Sequence, residues 1–322
     1  MSNMMRMPLL MRYVCKTALW GGSALKTRFG KVSDLDRLAE TWELSVREKE
    51  NTCIANGPYA GMTLAEYLRR TGEDAVSPTY DGGRFPLLIK LIDAADRLSV
   101  QVHPSDAYAQ AHEHDPGKTE MWYIVAAEQG AELIYGLKPG VRAADFAAAV
   151  RHGCVEKVLA TRPVQAGECY FIPSGMVHAI GGGIVVAEIQ QNSDLTYRVY
   201  DYDRVGADGK TRPLHREKAV DVTVAYTEET VAELRFSQGR KGPECLCNCA
   251  YFRVDRRTVR GVAEGCVQNV FHALLLTEGR GEVMQGETRL PLAAGDCCFL
   301  PAGMGDYTLR GECEVLDITL PG

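Results

Sequence analysis

The chain has 322 residues, of which 46% are apolar and 24% charged; this is the composition of a globular protein and excludes a chain that is disordered throughout. Its 36 lysines and arginines and 42 aspartates and glutamates give a net charge of −6 without a basic cluster, so we expect no nucleic-acid partner. No apolar run approaches the roughly 18 residues of a membrane span, and the apolar stretch near the N-terminus is too short for a signal peptide, so we expect a cytoplasmic protein with no membrane partner.

Helical periodicity is confined to a few segments. It predicts one short helix at residues 62–71 and two more at 143–160, separated at Gly153. Most other segments are short strand-like stretches that end at Gly, Pro or Asp. Before residue 240 these stretches are 41–47, 85–94, 98–104, 120–128, 131–137, 168–173, 183–191 and 195–201. After about residue 245 they are 251–259, 272–279, 282–290, 296–303 and 314–320. Such closely spaced strands predict a mainly β protein with a few short helices, built as a sandwich or barrel.

An internal repeat divides the chain. Residues 166–178 (AGECYFIPSGMVH) align without gaps with residues 294–306 (AGDCCFLPAGMGD). Two copies so far apart indicate two related domains rather than an array of short repeats. We therefore expect an N-terminal catalytic domain at 1–240, with a short helical insertion near 143–160, and a second, degenerate domain at 241–322.

The first copy has the spacing G-x₅-P-x-G-x₂-H and resembles a motif of the cupin superfamily, whose fold is a jelly roll (double-stranded β-helix). In such a motif the Pro and Gly form a tight turn, and His178 points into the barrel, where it can bind a metal. Gln101 and His103 are two residues apart in a strand-like stretch and therefore share a face. Glu120 starts the next stretch. Two imidazoles, a carboxylate and an amide oxygen suit Zn²⁺ with one open position, and Mn²⁺ and Fe²⁺ are the alternatives.

Several cations lie in or beside the same segments. Lys90 lies in an otherwise apolar stretch, where a buried lysine needs a charged partner or a ligand. Lys118 precedes Glu120 by two residues, and Arg198 follows Glu188 in the next strand-like stretch. A divalent ion surrounded by cations predicts a small, anionic, oxygen-rich substrate such as a sugar phosphate.

Eleven cysteines, an odd number, fit free thiols in a reducing compartment. Cys245, Cys247 and Cys249 alternate in a strand-like stretch, so we expect them to share a face. They could form a soft-metal site, but the second half of a zinc motif is missing, which favours small buried apolar residues. The adjacent Cys297 and Cys298 should point to opposite faces of a strand and fill the core.

Taken together, the motifs resemble those of the type I mannose-6-phosphate isomerases, in their short bacterial form. They cover roughly residues 8–205: Trp20-Gly-Gly22, Thr41-Trp-Glu-Leu-Ser45, Phe85-Pro-Leu-Leu-Ile-Lys90, Leu98-Ser-Val-Gln-Val-His-Pro104, Gly117-Lys-Thr-Glu-Met-Trp122, Pro173-Ser-Gly-Met-Val-His178 and Ser193-Asp-Leu-Thr-Tyr-Arg-Val-Tyr-Asp201. The resemblance implies a zinc enzyme with two cupin domains that interconverts mannose 6-phosphate and fructose 6-phosphate through an enediol intermediate.

The resemblance also implies roles for individual residues. The metal ligands are Gln101, His103, Glu120 and His178. The catalytic arginine falls on Arg198, and substrate-pocket residues fall on Lys90, Ser99, Lys118 and Glu188. For the reaction itself we expect Arg198 to stabilise the developing negative charge and either Lys118 or Glu188 to transfer the proton, between which the sequence does not choose. We expect Lys90, Ser99 and Arg204 to bind the rest of the substrate.

The sequence departs from the family pattern at three places. Residues 143–160 are all that remains of the large helical domain of the eukaryotic enzymes. Arg204 replaces a lysine of the long forms, so we expect no role there that needs a titratable amine. Asp306 replaces the histidine in the second copy, which also lacks a second Q-x-H, so we expect this domain to have lost its metal.

Two other functions fit parts of the pattern. The chain could be a non-catalytic metal-cupin that binds or senses a sugar phosphate, although such a binder has no need to keep the metal ligands and Arg198 together. A dioxygenase-type cupin would carry H-x-H with a nearby glutamate, whereas this chain carries Q-x-H.

For the oligomeric state, we expect a monomer or a homodimer.

Overall fold

The computed structural model describes residues 5–206, 209–232 and 244–321. The strands in these residues are β1 (Leu9–Arg12), β2 (Val14–Lys16), β3 (Glu40–Leu44), β4 (Cys53–Ile54), β5 (Leu87–Ala94), β6 (Val100–Val102), β7 (Glu120–Ala127), β8 (Glu132–Leu137), β9 (Leu159–Pro163), β10 (Cys169–Ile172), β11 (His178–Ile180), β12 (Ile184–Gln191), β13 (Tyr197–Tyr200), β14 (Glu244–Asn248), β15 (Arg253–Val267), β16 (His272–Gln285), β17 (Thr288–Ala293), β18 (Cys297–Leu300) and β19 (Gly305–Thr319). The α-helices are α1 (Ala24–Thr27), α2 (Leu64–Thr71), α3 (Asp106–His112), α4 (Ala143–Arg151), α5 (Arg216–Val222) and α6 (Glu228–Ala232). The mainly β fold with short helices is confirmed.

The strands form three antiparallel sheets. A six-stranded sheet has the order β10-β7-β12-β5-β3-β2, and a five-stranded sheet has the order β13-β6-β11-β8-β9. The third sheet follows the path β14-β15-β19-β16-β18-β1-β4, with β17 paired to β16. One face of the six-stranded sheet packs on the third sheet, and its other face packs on the five-stranded sheet.

The six-stranded sheet is therefore covered on both faces, and its long strands are buried along their whole length. This burial explains why the stretch around Lys90 is almost entirely apolar. Leu87, Ile89 and Leu91 pack against the third sheet, whereas Ile92 packs in the core between the six-stranded and five-stranded sheets. The alternation of side chains along β5 places Lys90 on the same face as Ile92, toward the five-stranded sheet.

The internal repeat is also a structural repeat. Gly167 and Gly295 have φ values of +90° and +94°, and Gly175 and Gly303 have values of +86° and +72°. These left-handed conformations favour glycine and form the turns before and after β10 and β18. The same strand and turn geometry thus occurs twice, once at the proposed metal site and once in the third sheet.

The cysteines of the third sheet follow the prediction in one pair and depart from it in the other group. Cys297 packs in the core shared with the six-stranded sheet, and Cys298 packs in the core inside the third sheet, so their opposite orientation is confirmed. In β14 the register shifts between Cys245 and Cys247, and the strand ends before Cys249. Cross-strand pairing therefore places Cys245 and Cys247 on opposite faces, whereas Cys247 and Cys249 both pack in the core shared with the six-stranded sheet.

The predicted helix at 62–71 is present as α2, which begins after Thr63; the hydroxyl of Thr63 accepts a hydrogen bond from the backbone N–H of Glu66. Residues 143–160 contain α4, but the second helix predicted after Gly153 is wrong. That segment is a 3₁₀ turn (Val155–Lys157) followed by β9, because pairing with β8 and burial of Leu159 prevail over the local helical pattern.

The N-terminal strand β1 belongs to the third sheet, where it pairs with β18 and β4. The sheet of the C-terminal half therefore includes a strand from the opposite side of the boundary expected at residue 240, and that division stays a prediction. In the described part of the chain no helix is both long and apolar enough to cross a membrane.

Candidate functional site

Three predicted metal ligands meet between the six-stranded and five-stranded sheets. Glu120 is the first residue of β7, His178 is the first residue of β11, and His103 directly follows β6. All three are buried, and one potential ligand atom of each lies within 4.8 Å of the others. Among the described residues this is the group of acidic, His and Cys side chains that could hold a metal ion.

Hydrogen bonds orient both imidazoles toward the same point. His103 Nδ1 donates to the carbonyl of Leu195, and His178 Nδ1 donates to the carbonyl of Met176, each over 2.8 Å. With the proton on Nδ1, each Nε2 presents a lone pair. The two Nε2 atoms lie 3.2 Å apart, which places two acceptors against each other.

Burial keeps these imidazoles neutral. It lowers the pKa of His178 to about 4 and lowers the pKa of His103 well below its ordinary value, with the Lys118 charge acting in the same direction. Neutral imidazoles are the form that binds a metal, so the absence of a proton on each Nε2 favours metal binding at neutral pH.

Glu120 completes the set. Its carboxylate oxygens lie 3.5 Å from His103 Nε2 and 3.4 Å from His178 Nε2, and neither oxygen has a hydrogen-bond partner of good geometry in the described residues. Lys118 Nζ lies 2.9 Å from Oε2. Burial, followed by the Glu188 charge, raises the pKa of Glu120 to about 7. Two imidazole lone pairs and two carboxyl oxygens thus face one another with no hydrogen bond of good geometry between them in the described residues, which fits a bound cation.

Gln101 is the fourth predicted ligand, and its place in β6 agrees with that role. It pairs with His178 across the β6–β11 ladder, and its amide Nε2 lies 3.4 Å from His178 Nε2. A rotation of the amide by 180° would present Oε1 to the same point, as a metal ligand requires.

A network of buried charges lies beside this cluster. Glu188 Oε1 accepts a hydrogen bond from Lys90 Nζ over 2.9 Å, and Glu188 Oε2 accepts one from Trp122 Nε1 over 2.9 Å. Lys118 Nζ lies 3.9 Å from Glu188 Oε1, so it stands between Glu188 and Glu120. The structure therefore brings Lys90, Lys118 and Glu188 together as one site.

The charges in this network set the protonation states. Burial opposes ionisation of Glu188, but Lys90 and Lys118 outweigh it and lower the pKa of Glu188 to about 2. Burial likewise acts to lower the pKa of Lys90, but the carboxylates of Glu188 and Glu40 raise it above its ordinary value. Lys90 and Glu188 are therefore both charged at neutral pH.

Arg198 lies on β13 and pairs with Gln101 of β6, and cross-strand partners share a face of the sheet. Its Nη1 donates to the carbonyl of Pro213, and its buried Nε has no hydrogen-bond partner in the described residues. Burial, together with the charges of Arg212 and Arg204, lowers its pKa. A guanidinium with an unused buried N–H can accept an anionic oxygen without further desolvation.

Ser99 and Arg204, which were predicted to bind substrate, lie in different surroundings from each other. Ser99 is buried just before β6. Arg204 donates to Asp201 and to the backbone carbonyl of Arg97, and Arg212 holds the same Asp201 carboxylate. The Arg204 guanidinium is thus held by an ion pair within its own loop, rather than by a contact with the buried network.

The sequence reasoning missed two residues of the network. Trp122 lies two residues after Glu120 in β7, and the alternation rule places both on one face, so it could have been found. Glu40 lies 3.8 Å from Lys90 Nζ, on the neighbouring strand β3, and no local signal points to it.

Two family models match the chain. The model described as phosphomannose isomerase type I, catalytic domain, matches residues 9–130, and the model described as mannose-6-phosphate isomerase, cupin domain, matches residues 244–320.

Curated relatives and solved structures agree with these matches. The chain is 37% identical to mannose-6-phosphate isomerase ManA of Bacillus subtilis (strain 168), over 96% of this chain and 98% of the relative. It is 33% identical to the mannose-6-phosphate isomerase of Streptococcus mutans, over 96% of this chain and 97% of that one. A crystal structure of the mannose 6-phosphate isomerase from Bacillus subtilis superposes with a TM-score of 0.87 at 36% identity, covering 97% of this chain and 99% of that chain.

Proposed function

Because this chain belongs to the type I mannose-6-phosphate isomerases, we propose that it interconverts mannose 6-phosphate and fructose 6-phosphate at the buried site between its six-stranded and five-stranded sheets. The observation that carries the proposal is the convergence of two imidazole lone pairs and a carboxylate beside a charged network of lysines and glutamates. The comparisons support this enzyme rather than the non-catalytic sugar-phosphate sensor that the sequence left as an alternative.

The ligands of the proposed metal are His103, Glu120 and His178, with Gln101 as the fourth. Their nitrogen and oxygen donors suit Zn²⁺, and we propose zinc as the native ion. When bound, such an ion polarises the substrate oxygens as a Lewis acid.

Aldose–ketose isomerisation removes the C2 proton of the open-chain aldose and returns a proton to C1. The charge of the intermediate enediolate develops on the oxygens of C1 and C2. We propose that Arg198 stabilises this charge, since its buried Nε–H has no hydrogen-bond partner among the described residues and lies on the face that carries Gln101.

We propose Lys118 as the group that moves the proton. Both oxygens of Glu188, the other candidate, already accept hydrogen bonds, and the pKa of about 2 makes its carboxylate a weak base. The Lys118 Nζ lies between Glu120 and Glu188, so these two carboxylates hold it beside the proposed metal ligands. Glu188 then orients Lys90 and Lys118.

Lys90, Ser99 and Arg204 remain our candidates for holding the rest of the substrate. Lys90 and Ser99 lie in the strands around the buried site or directly beside them. Arg204 could reach a substrate phosphate only by leaving its ion pair with Asp201. A monomeric or homodimeric state and a cytoplasmic location stay predictions.

The decisive experiment is a coupled assay that follows fructose 6-phosphate formed from mannose 6-phosphate by the purified chain. The assay is run on the protein as purified, after chelation, and after Zn²⁺, Mn²⁺ or Fe²⁺ is added back. We expect activity to disappear on chelation and to return with Zn²⁺.

The outcomes separate the alternatives. Full activity after complete removal of metal, shown by elemental analysis, would exclude the proposed metal role. A chain that holds zinc but converts no mannose 6-phosphate would overturn the isomerase and support the binding protein. A better recovery of activity with Mn²⁺ or Fe²⁺ would replace zinc as the proposed native ion and leave the isomerase function unchanged.

A further inference from the structure

The short segment 117–120 carries both the proposed proton carrier and a proposed metal ligand, and it is not part of a strand until its last residue. Each of its first three backbone N–H groups is held from outside the segment. Gly117 N–H donates to Asp106 Oδ1 over 2.8 Å, and Thr119 N–H donates to Gln191 Oε1 over 2.8 Å. The backbone N–H of Lys118, between them, donates to the carbonyl of Pro104 over 3.0 Å.

Asp106 joins these contacts into one network. Besides Gly117, its Oδ1 accepts a hydrogen bond from Gln191 Nε2 over 3.0 Å. Its Oδ2 accepts the hydroxyl proton of Tyr251 over 2.6 Å. Tyr251 lies between β14 and β15, in the C-terminal half of the chain, 145 residues away. One carboxylate thus connects the second half of the chain to the backbone of the catalytic segment.

Close packing makes this connection stiff. A Cβ atom on Gly117 would lie 2.4 Å from the backbone nitrogen of Asp106 and 2.5 Å from the carbonyl carbon of Ser105, so the two backbones are already in contact. Gln191 is buried and also donates its own backbone N–H to the carbonyl of Thr119. A shift of Asp106 therefore moves the backbone that sets the side-chain positions of the segment.

We propose that Tyr251 is a positioning residue: acting through Asp106, it fixes Lys118 and Glu120 in their working geometry. The C-terminal half, which lacks the metal-ligand histidine, then contributes to the reaction of the N-terminal half. The kinetic part of this inference rests on the proposed isomerase function, whereas the part that concerns Glu120 can be tested by metal binding alone.

The test compares Tyr251→Phe with Tyr123→Phe. Tyr123 also joins the two halves through a hydroxyl–carboxylate hydrogen bond, to Glu314 over 2.5 Å, but its side chain lies on the opposite face of β7 from Glu120. Small displacements of catalytic groups cost large factors in rate. We expect Tyr251→Phe to lower kcat about fivefold with KM within about twofold, and to weaken Zn²⁺ binding by the apo chain about threefold. Tyr123→Phe should change neither quantity.

A double variant tests whether the Tyr251 hydroxyl acts through the Asp106 carboxylate. Asp106→Ala should lower kcat and Zn²⁺ affinity at least as much as Tyr251→Phe, and adding Tyr251→Phe to Asp106→Ala should cause no further loss, because the hydroxyl acts through that carboxylate. Zinc affinity is read by competition with a chromogenic chelator, and melting temperatures of all variants are recorded.

Wild-type kcat and zinc affinity in Tyr251→Phe would overturn the inference, as would equal losses in Tyr123→Phe or an undiminished effect in the Asp106→Ala background. If the wild-type chain binds zinc but has no isomerase activity, the proposed function fails, and the zinc affinities still decide whether Tyr251 positions Glu120.

Discussion

Replacing Lys90 by methionine removes one partner of the buried ion pair and leaves Glu188 buried with reduced compensation. The side chains of Lys90 and Glu188 are only 6% and 4% exposed, so water cannot replace the lost charge. Breaking a buried pair on one side costs roughly 3–5 kcal/mol. Glu188 keeps the Trp122 hydrogen bond and the more distant Lys118, which places the expected loss near the lower limit, about 3 kcal/mol. For a chain of this size, that loss lowers the melting temperature by about 4 °C.

The loss should depend on pH in a defined direction. In the wild type the pKa of Glu188 is about 2, below its unfolded value, so its ionised form stabilises the fold above the unfolded pKa. Without Lys90 the folded pKa of Glu188 rises above its unfolded value, and the resulting destabilisation grows as pH rises from the unfolded pKa to the folded pKa. We therefore expect the difference in melting temperature between the variant and the wild type to be smaller at pH 5 than at pH 8.

The assay is thermal unfolding of metal-free protein by circular dichroism at both pH values. Lys218→Met is the matched control, because Lys218 pairs with Glu113 at the surface, and its loss should move the melting temperature by no more than about 1 °C. The double variant Lys90→Met/Glu188→Gln removes both charges and should recover most of the stability. A single variant that melts with the wild type, or a deficit that is the same at both pH values, would refute this account.

The remaining predictions concern the metal, the oxyanion and the thiols. His178→Ala should lose bound metal and activity together, as measured by elemental analysis and the isomerase assay, and full metal content would contradict its ligand role. Arg198→Ala should keep wild-type metal content and lose about 10²–10³-fold in kcat, and near wild-type turnover would remove Arg198 from the mechanism. Hydrogen bonding from the Cys247 thiol lowers the pKa of Cys249 to about 7, so iodoacetamide at pH 7.5 should label Cys249 before the more exposed Cys266, whose pKa is raised by Asp306. Peptide mass spectrometry checks the order, and faster labelling of Cys266 would contradict it.

Much of the site could be predicted from the spacing of residues along the strands and turns. Alternation along a strand fixes which side chains share a face, so the positions of Lys90 in β5 and of Gln101 in β6 followed from the sequence. The glycines of the repeated motif have the left-handed conformations that the turn requires, so the strand and turn around His178 were also predictable. These features depend on residues that are close in the chain, where geometry leaves few alternatives.

Predictions from the local sequence pattern failed where contacts with other segments determine the structure. The helix expected after Gly153 is replaced by β9, because pairing with β8 offers burial that an isolated turn of helix does not. The ion pair of Arg204 with Asp201 was not predicted, because it depends on how the loop folds back; the substrate-binding role of Arg204 stays a prediction. Regular alternation through Cys249 was interrupted by a register shift that depends on the neighbouring strand.

The sequence by itself determined the family, the mainly β architecture, the set of metal-ligand candidates and the identity of the cations. The tertiary structure decided how they act together. Packing of the two sheets brings Glu120 against His103 and His178, burial sets their protonation, and Tyr251 reaches Asp106 across the boundary between the halves. The physical reason is that spacing along the chain fixes the direction of a side chain, whereas distance, desolvation and charge coupling depend on segments that meet only in the folded protein.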